Sequence, residues 1–404
     1  MNIFVAILGL GLLVLVHEAG HFFTARAVGM RPRRFYVGFP PPLVKVERQG
    51  IEYGLGSIPL GGYVKIPGMH RPAPSDVDMY FARALAEAPQ LLRPLTRVKN
   101  RLEAGEMEEA RAAVREAEAA IEETGLSPPA LRSARRGLSE LADGLGPDAY
   151  WRQRIWKRIV VIFAGPGTNL VFAVLLFAIL LTVGTGAYRL GFTLEGSGDQ
   201  ATRVVDEVGE GDPAARMGLR PGDRIIEVGG EPVAPDEIAK QIRAAKGRPI
   251  TVTVERAGRR TVLGPARPQK DEGLSAPTAL WESVKLTAII TREIGQSLAR
   301  LVTGEGRKDI SSPVGIVEGS SEALDQGVRP YLWVLGLISL SLALLNLLPL
   351  LPLDGGHIVF SIVEGIRGRS MGREVYERVS AVGIALVLLL FFIGLTNDVN
   401  RLGD

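Results

Sequence analysis

The chain has 404 residues, of which 46% are hydrophobic and 23% charged. Its formal net charge of +3 is too small for an electrostatic nucleic-acid binder. Cysteine is absent, which excludes disulfides, thiolate metal sites and a cysteine nucleophile, so any metal must be held by Asp, Glu or the four histidines His17, His21, His70 and His357.

Mean hydropathy is positive despite the charge content, so the apolar residues must be gathered in blocks. The first block, residues 3–16, has no polar side chain and continues through HEAGHFFTA. It reads as a retained span and not a cleaved signal peptide, because no basic segment precedes it and no small-residue cleavage site follows. After it, residues 43–47, 51–55 and 62–66 alternate in polarity and read as short strands. Residues 79–148 are rich in Ala, Glu, Arg and Leu with helical periodicity, broken at Gly125-Leu-Ser-Pro-Pro; this is a soluble helical hairpin inserted into a loop, with a partner-docking arm as the alternative.

Residues 159–183 are uncharged and form a second span. Residues 199–268 read as a small β-rich domain with turns at Gly218, Gly222, Gly229 and Gly258, and 277–303 as an amphipathic helix lying on the outer membrane face. Residues 331–353 and 379–395 are again uncharged. Each uncharged block can cross a hydrocarbon layer of about 30 Å as a helix. The expected fold is thus a polytopic α-helical membrane protein with four transmembrane helices. Its segments are 1–28 (first span), 29–75 (membrane-associated β region), 76–150 (helical insertion), 151–188 (second span), 197–268 (β-rich domain), 269–328 (amphipathic helix region), 329–356 (third span), 357–378 (cytoplasmic loop) and 379–396 (fourth span).

Basic residues set the direction. Arg26, Arg31, Arg33 and Arg34 follow the first span, Arg152, Arg154, Lys157 and Arg158 precede the second, and Arg367, Arg369, Arg373 and Arg378 lie between the last two. The positive-inside rule then places 26–158 and 354–378 in the cytoplasm, and both termini and 184–330 outside.

The chemistry is concentrated in His17-Glu18-Ala19-Gly20-His21, an H-E-x-x-H match inside the first span. Residues i and i+4 share one helix face, so the two imidazoles can bind one Zn2+ while Glu18 serves as general base to a water. Polar side chains in lipid cost about 2.5–3.5 kcal/mol for each charged group on insertion scales, so this set must face protein, water or metal. Candidates for a third ligand near a span are Asp354, His357 and Glu364. Asp354 ends the third span, beyond Pro349 and Pro352, and that span runs in the same direction as the first. His17 lies about 21 Å along the first span, so both motifs reach the cytoplasmic third of the bilayer. His357 reads either as a group supporting the ligands or, the favoured reading, as a solvated loop residue, and His70 as exposed. Asn346 is a donor for a developing oxyanion or a bond to the broken backbone near Pro349. A helix hides its carbonyls, so a substrate helix has to unwind, and a strand edge within 43–66 can hold it extended.

HEAGH at 17–21, PLGGYVK at 59–65, AGPGTN at 164–169, GLRPGDRI at 218–225, SPVGI at 312–316 and NLLPLLPLDGG at 346–356 together resemble the site-2 protease family of intramembrane zinc metalloproteases, of the bacterial regulator-of-sigma-E type. The resemblance covers about 1–75 and 150–404. It implies His17, His21 and Asp354 as zinc ligands, Glu18 as the catalytic carboxylate, and Asn346 and Pro349 as the family's Asn-x-x-Pro element. It likens the β-rich domain to an extracytoplasmic PDZ domain that filters substrates. It also implies a multi-pass protein of the bacterial inner membrane that cuts single-span proteins: anti-sigma factors already shortened by another protease, or remnant signal peptides. Only one PDZ-like domain is visible, and the insertion has no family counterpart, so its partner is unassigned. Two other readings use the same residues. One is a catalytically inactive, membrane-anchored PDZ adaptor in which HEAGH is a relic. The other is a metal transporter, against which residues 159–183 and 379–395 offer no further carboxylate or histidine.

Overall fold

The computed structural model describes residues 2–196, 202–302, 311–369 and 371–403. The chain divides into two compact units, 1–176 with 284–404 and 177–283. Four helices are long and apolar enough to cross a membrane: Asn2–Ala27, Ile155–Val183, Val328–Asn346 and Glu374–Asn400.

The first unit opens with α1 (Asn2–Ala27). Strands β1 (Arg34–Arg48) and β2 (Ile51–Lys65) follow. The three short strands expected over 43–66 are here two long strands that fold across each other. Residue 34 stands opposite both 52 and 65, and residue 48 opposite 51, which gives the lateral order 44–48, 51–55, 34–37, 62–65. The stretch 62–65 is therefore an edge. Gly38, with φ +89°, permits the bend between the two halves of β1; a Cβ there would come within 2.7 Å of Ile58 O.

The insertion is more than a hairpin. It comprises α2 (Pro74–Glu87), α3 (Leu92–Glu103), α4 (Met107–Glu122) and α5 (Pro128–Leu145). Each helix has an apolar stripe, and the four stripes enclose one core that includes Phe81, Leu95, Val114, Ile121 and Leu138. The break at Gly125-Leu-Ser-Pro-Pro is a helix start: Ser127 caps α5 by accepting from the Ala130 amide, and its own N–H and O–H donate to Glu87.

Helix α6 (Ile155–Val183) carries Pro166 in its interior. It meets α1 at Gly20, where a Cβ would lie 2.3 Å from Ala164 O, a small-residue crossing of the kind that lets membrane helices approach closely. In the second unit come β3 (Tyr188–Arg189), β4 (Phe192–Leu194), β5 (Val205–Val208), α7 (Pro213–Arg216), β6 (Arg224–Val228), β7 (Glu231–Pro232), α8 (Pro235–Ala244), β8 (Ile250–Arg256), β9 (Arg259–Ala266) and β10 (Gln269–Lys270). Four of these strands form a sheet of order β7-β6-β8-β9. Val205, Ile225, Val252, Val254 and Leu263 from the strands bury themselves against Ile238 and Ile242 of α8. The expected domain 197–268 begins at 197–201, and the expected amphipathic stretch ends at residue 303; both positions lie outside the described residues.

The chain then forms α9 (Ala276–Val302), α10 (Pro313–Asp325), α11 (Val328–Asn346), α12 (Asp354–Arg367) and α13 (Arg373–Gly403). The apolar run to residue 353 does not stay helical, in keeping with the broken backbone expected near Pro349: α11 stops at Asn346, because Pro349 and Pro352 lack amide donors and their rings clash with the preceding turn. A cytoplasmic loop was expected over 357–378, yet 357–367 belong to α12, closed by Gly368 in the left-handed conformation at φ +66°, and 373–378 to the start of α13. Helix α11 is tied to α1 and α6 by side-chain donors to main-chain carbonyls. Tyr331 OH reaches Val5 O at 3.0 Å and Ser339 Oγ reaches Asn169 O at 2.9 Å.

In the second unit, Arg256 donates Nε to Asp223 Oδ1 at 2.6 Å and Nη2 to Oδ2 at 2.7 Å, and the Arg220 amide donates to Oδ2 at 2.8 Å. Burial alone would raise the Asp223 carboxyl, but the Arg256 guanidinium and the Arg220 amide outweigh it and hold it below its ordinary 3.8. A depressed folded pKa stabilises the fold above the unfolded value and loses that contribution as pH falls through the folded one. Asp223→Ala is thus expected to destabilise this unit at pH 7 by about 1–3 kcal/mol, from lost and orphaned hydrogen bonds, and so to lower its melting temperature. The gap to wild type closes as the pH drops below about 4; a gap independent of pH would contradict the pairing.

Candidate metal centre

His17 and His21 stand one turn apart on α1 and are 6% and 7% exposed. Both point at Asp354, the first residue of α12. His17 Nε2 and His21 Nε2 are 3.2 Å apart, and Asp354 Oδ2 is 3.0 Å from the first and 3.4 Å from the second. Among the described residues, this is the one group of three or more His, Asp or Glu side chains close enough to share a metal ion. Donors bound tetrahedrally at about 2.0–2.1 Å from zinc stand roughly 3.3 Å from each other, so the three atoms already have the required spacing. The Asp354 Oδ2 atom is buried and takes no hydrogen bond, as suits a group reserved for a cation.

Local sequence explains the placement. His21 Nδ1 lies 2.8 Å from Val161 O, and a carbonyl only accepts, so Nδ1 carries the hydrogen and Nε2 presents its lone pair to the centre. The ring occupies space that a side chain at position 165 would fill: a Cβ on Gly165 would lie 2.2 Å from His21 Nε2. Thr168 Oγ1 sits 3.1 Å from Val16 O and joins α6 to α1 beside the histidines. Asp354 is fixed by a tight reversal after α11. Cβ atoms on Gly355 and Gly356 would meet Leu347 O at 2.2 Å and Leu351 N at 2.5 Å, so only glycine fits either place. Helix α12 is in turn anchored by Glu364, whose carboxylate forms an ion pair with the Arg158 guanidinium at 2.6 Å with both side chains buried, and by the hydrogen bond between Ser361 Oγ and Tyr150 OH at 3.2 Å.

Beside the three donors is a cavity of about 530 Å³. Glu18 lines it next to the edge stretch 62–65 of β2; Gly62 is pressed against its side chain, where a Cβ would lie 2.5 Å from Glu18 Cγ. Asn346, the last residue of α11, lines the same cavity, and its Nδ2 donates to Leu342 O at 3.0 Å. Of the other candidates for the third donor, Glu364 is committed to Arg158. His70 is exposed, as expected, at the rim of the cavity with its ring 4.6 Å from that of Tyr376. His357 differs from expectation: it is a half-buried helical residue one turn beyond Asp354 that lines the cavity, because the segment after Asp354 is α12 and not a loop. The supporting roles of Gly62, Val161, Gly165 and Thr168 were not assigned from the sequence, although PLGGYVK and AGPGTN marked three of the four positions.

Comparison with known proteins agrees with this geometry. Residues 5–390 match Peptidase family M50. The chain is 30% identical over 427 residues to the Agrobacterium fabrum protein named "Putative zinc metalloprotease Atu1380", covering 98% of this chain and 95% of that one. It is 28% identical over 428 residues to zinc metalloprotease Rip1 of Mycobacterium tuberculosis, covering 93% and 88%. It is 27% identical over 430 residues to zinc metalloprotease RasP of Geobacillus kaustophilus, covering 97% and 96%. With four apolar helices and a match along nearly its whole length, the chain belongs to peptidase family M50, the site-2 proteases, and is a membrane protein and a zinc-dependent metalloprotease.

Proposed function

We propose that this protease hydrolyses peptide bonds within the membrane-spanning segments of single-span proteins, with His17, His21 and Asp354 as zinc ligands and Glu18 as general base. The observation that carries the reading is the meeting of three buried donor atoms, 3.0–3.4 Å apart, from two apolar segments of the chain, beside a carboxylate that faces a cavity. Zinc, when bound there, supplies a Lewis acid for the scissile carbonyl and acidifies water. Glu18 takes the proton of the attacking water and passes it to the leaving amine. Asn346 uses one Nδ2 hydrogen on Leu342 O and keeps the second for the developing oxyanion. The substrate has to be extended to expose its carbonyl, and the edge strand 62–65, which borders the cavity, offers main-chain partners for it.

By the positive-inside rule the centre lies near the cytoplasmic face and residues 199–268 outside; the membrane, by resemblance to the family, is a bacterial inner membrane. In this reading the β7-β6-β8-β9 unit is a PDZ-like domain that excludes substrates whose outer portions are still large. The substrates are then anti-sigma factors already trimmed by another protease, or remnant signal peptides. An inactive adaptor would have no need of a cavity beside Glu18 or of a fixed His21 tautomer.

Three outcomes are expected. Glu18→Gln keeps one zinc per chain and the fold, while cleavage of a model single-span substrate falls by about 10²–10⁴, the usual worth of a general base; undiminished cutting by the purified variant would contradict the assignment. Zinc content measured by atomic emission drops well below one per chain in Asp354→Ala. It drops likewise in Gly165→Ala, whose new methyl displaces His21, and full zinc in both would exclude this ligand set. Deleting 199–268 leaves cutting of a short, pre-trimmed substrate intact and admits untrimmed ones, whereas loss of cutting on the short substrate would count against a filter.

A further inference from the structure

The bundle α2–α5 reaches the proposed active site. Tyr80 of α2 and Glu140, Leu141 and Gly144 of α5 line the cavity that also holds His17 and Glu18. Their approach is fixed in two ways. Lys65, the last residue of the edge strand, donates Nζ to Glu140 Oε1 and to Asp143 Oδ2, both at 2.9 Å. Arg33, just before β1, donates Nε to Asp143 Oδ1 at 2.7 Å and Nη1 to Asp148 Oδ2 at 2.9 Å. Lys65 is only 12% and Asp143 only 11% exposed, so this network is shielded from the screening that weakens surface pairs. Main-chain bonds continue the contact: the Tyr150 amide donates to Pro67 O at 2.9 Å and the Trp151 amide to Gly68 O at 3.1 Å. Gly68 meets the end of the bundle so closely that a Cβ on it would lie 2.6 Å from Ala149 Cβ. Tyr80 itself is held by α5: Ser133 Oγ donates to its carbonyl at 3.0 Å, and Gly137 leaves the room its side chain needs, since a Cβ there would be 2.5 Å from Tyr80 Cβ.

A substrate strand laid along 62–65 therefore meets a wall where that strand ends. We propose that the bundle is a specificity element of the reaction, with Tyr80, Leu141 and Gly144 limiting the size of the substrate side chains on the cytoplasmic side of the scissile bond. This rests on the peptidase reading above. The bundle has its own core, and it meets the cavity through Tyr80, Leu141 and Gly144 together with two carboxylates, Asp76, which accepts from the Ala73 amide at the start of α2, and Glu140, which is paired to Lys65; the aromatic and apolar part of that surface acts through shape. Shape selection of this kind is worth about 10–200-fold for a misfit in an apolar pocket.

The test uses the full chain in lipid vesicles, zinc-loaded, and matched single-span substrates bearing Ala or Trp at each of the first three positions on the cytoplasmic side of the cut. Wild type is expected to prefer Ala to Trp in kcat/KM by about tenfold or more at one of these positions at least. Tyr80→Ala is expected to bring that ratio close to one, and Tyr80→Trp to increase it. The opposite variants guard against a misleading loss of fold in either, and zinc content and thermal unfolding report on both. An Ala-to-Trp ratio equal in wild type and in the zinc-replete variants at all three positions overturns the proposal. Failure of zinc-loaded wild type to cut even the Ala substrates overturns the peptidase reading itself, and the proposal with it.

Discussion

Polar side chains inside an apolar span have to satisfy one another, and the architecture of the first unit follows from that constraint. Two imidazoles and a carboxylate left facing hydrocarbon would cost several kcal/mol. Here they are turned inward from two helices until their atoms stand 3.0–3.4 Å apart. The surrounding sequence serves that meeting. Glycine at 20 and 165 lets α6 come against the histidine face of α1, and glycine at 355 and 356 lets the chain double back so that Asp354 opens a helix at the right depth. The buried Arg158–Glu364 pair then fixes that helix; a pair so enclosed is strongly destabilising to break, by about 3–5 kcal/mol, because either partner alone would be an uncompensated buried charge.

The same constraint accounts for what was legible beforehand. HEAGH, in an otherwise unbroken apolar run, has few physical explanations other than a metal centre, and the prolines at 349 and 352 announce that the third span gives way before Asp354.

What was not legible depended on packing between distant segments. Local alternation identified strands over 43–66 but could not reveal that residue 34 pairs with both 52 and 65 and so leaves 62–65 at the edge. Period-3.6 patterning identified helices over 79–148, yet a hairpin and a closed four-helix bundle share that pattern and differ only in which stripes face each other. The soluble composition of the insertion also concealed its reach into the cavity, because the contacts are made by Asp76 and Tyr80 of α2 and a few residues of α5 among many solvated ones. His357 was misplaced for a related reason: the glycines after Asp354 suggest a turn, but there they permit close packing at the start of a helix.

The central claim is that one zinc ion is held jointly by the two α1 histidines and by Asp354. An anomalous difference map recorded at the zinc edge, from crystals of the full chain, tests it most directly. The account predicts a single strong peak about 2.0–2.2 Å from His17 Nε2, His21 Nε2 and an Asp354 carboxylate oxygen, with a fourth position open toward Glu18. A peak bound to the histidines with Asp354 a helix diameter away, or a zinc-replete protein with its peak elsewhere, would contradict it.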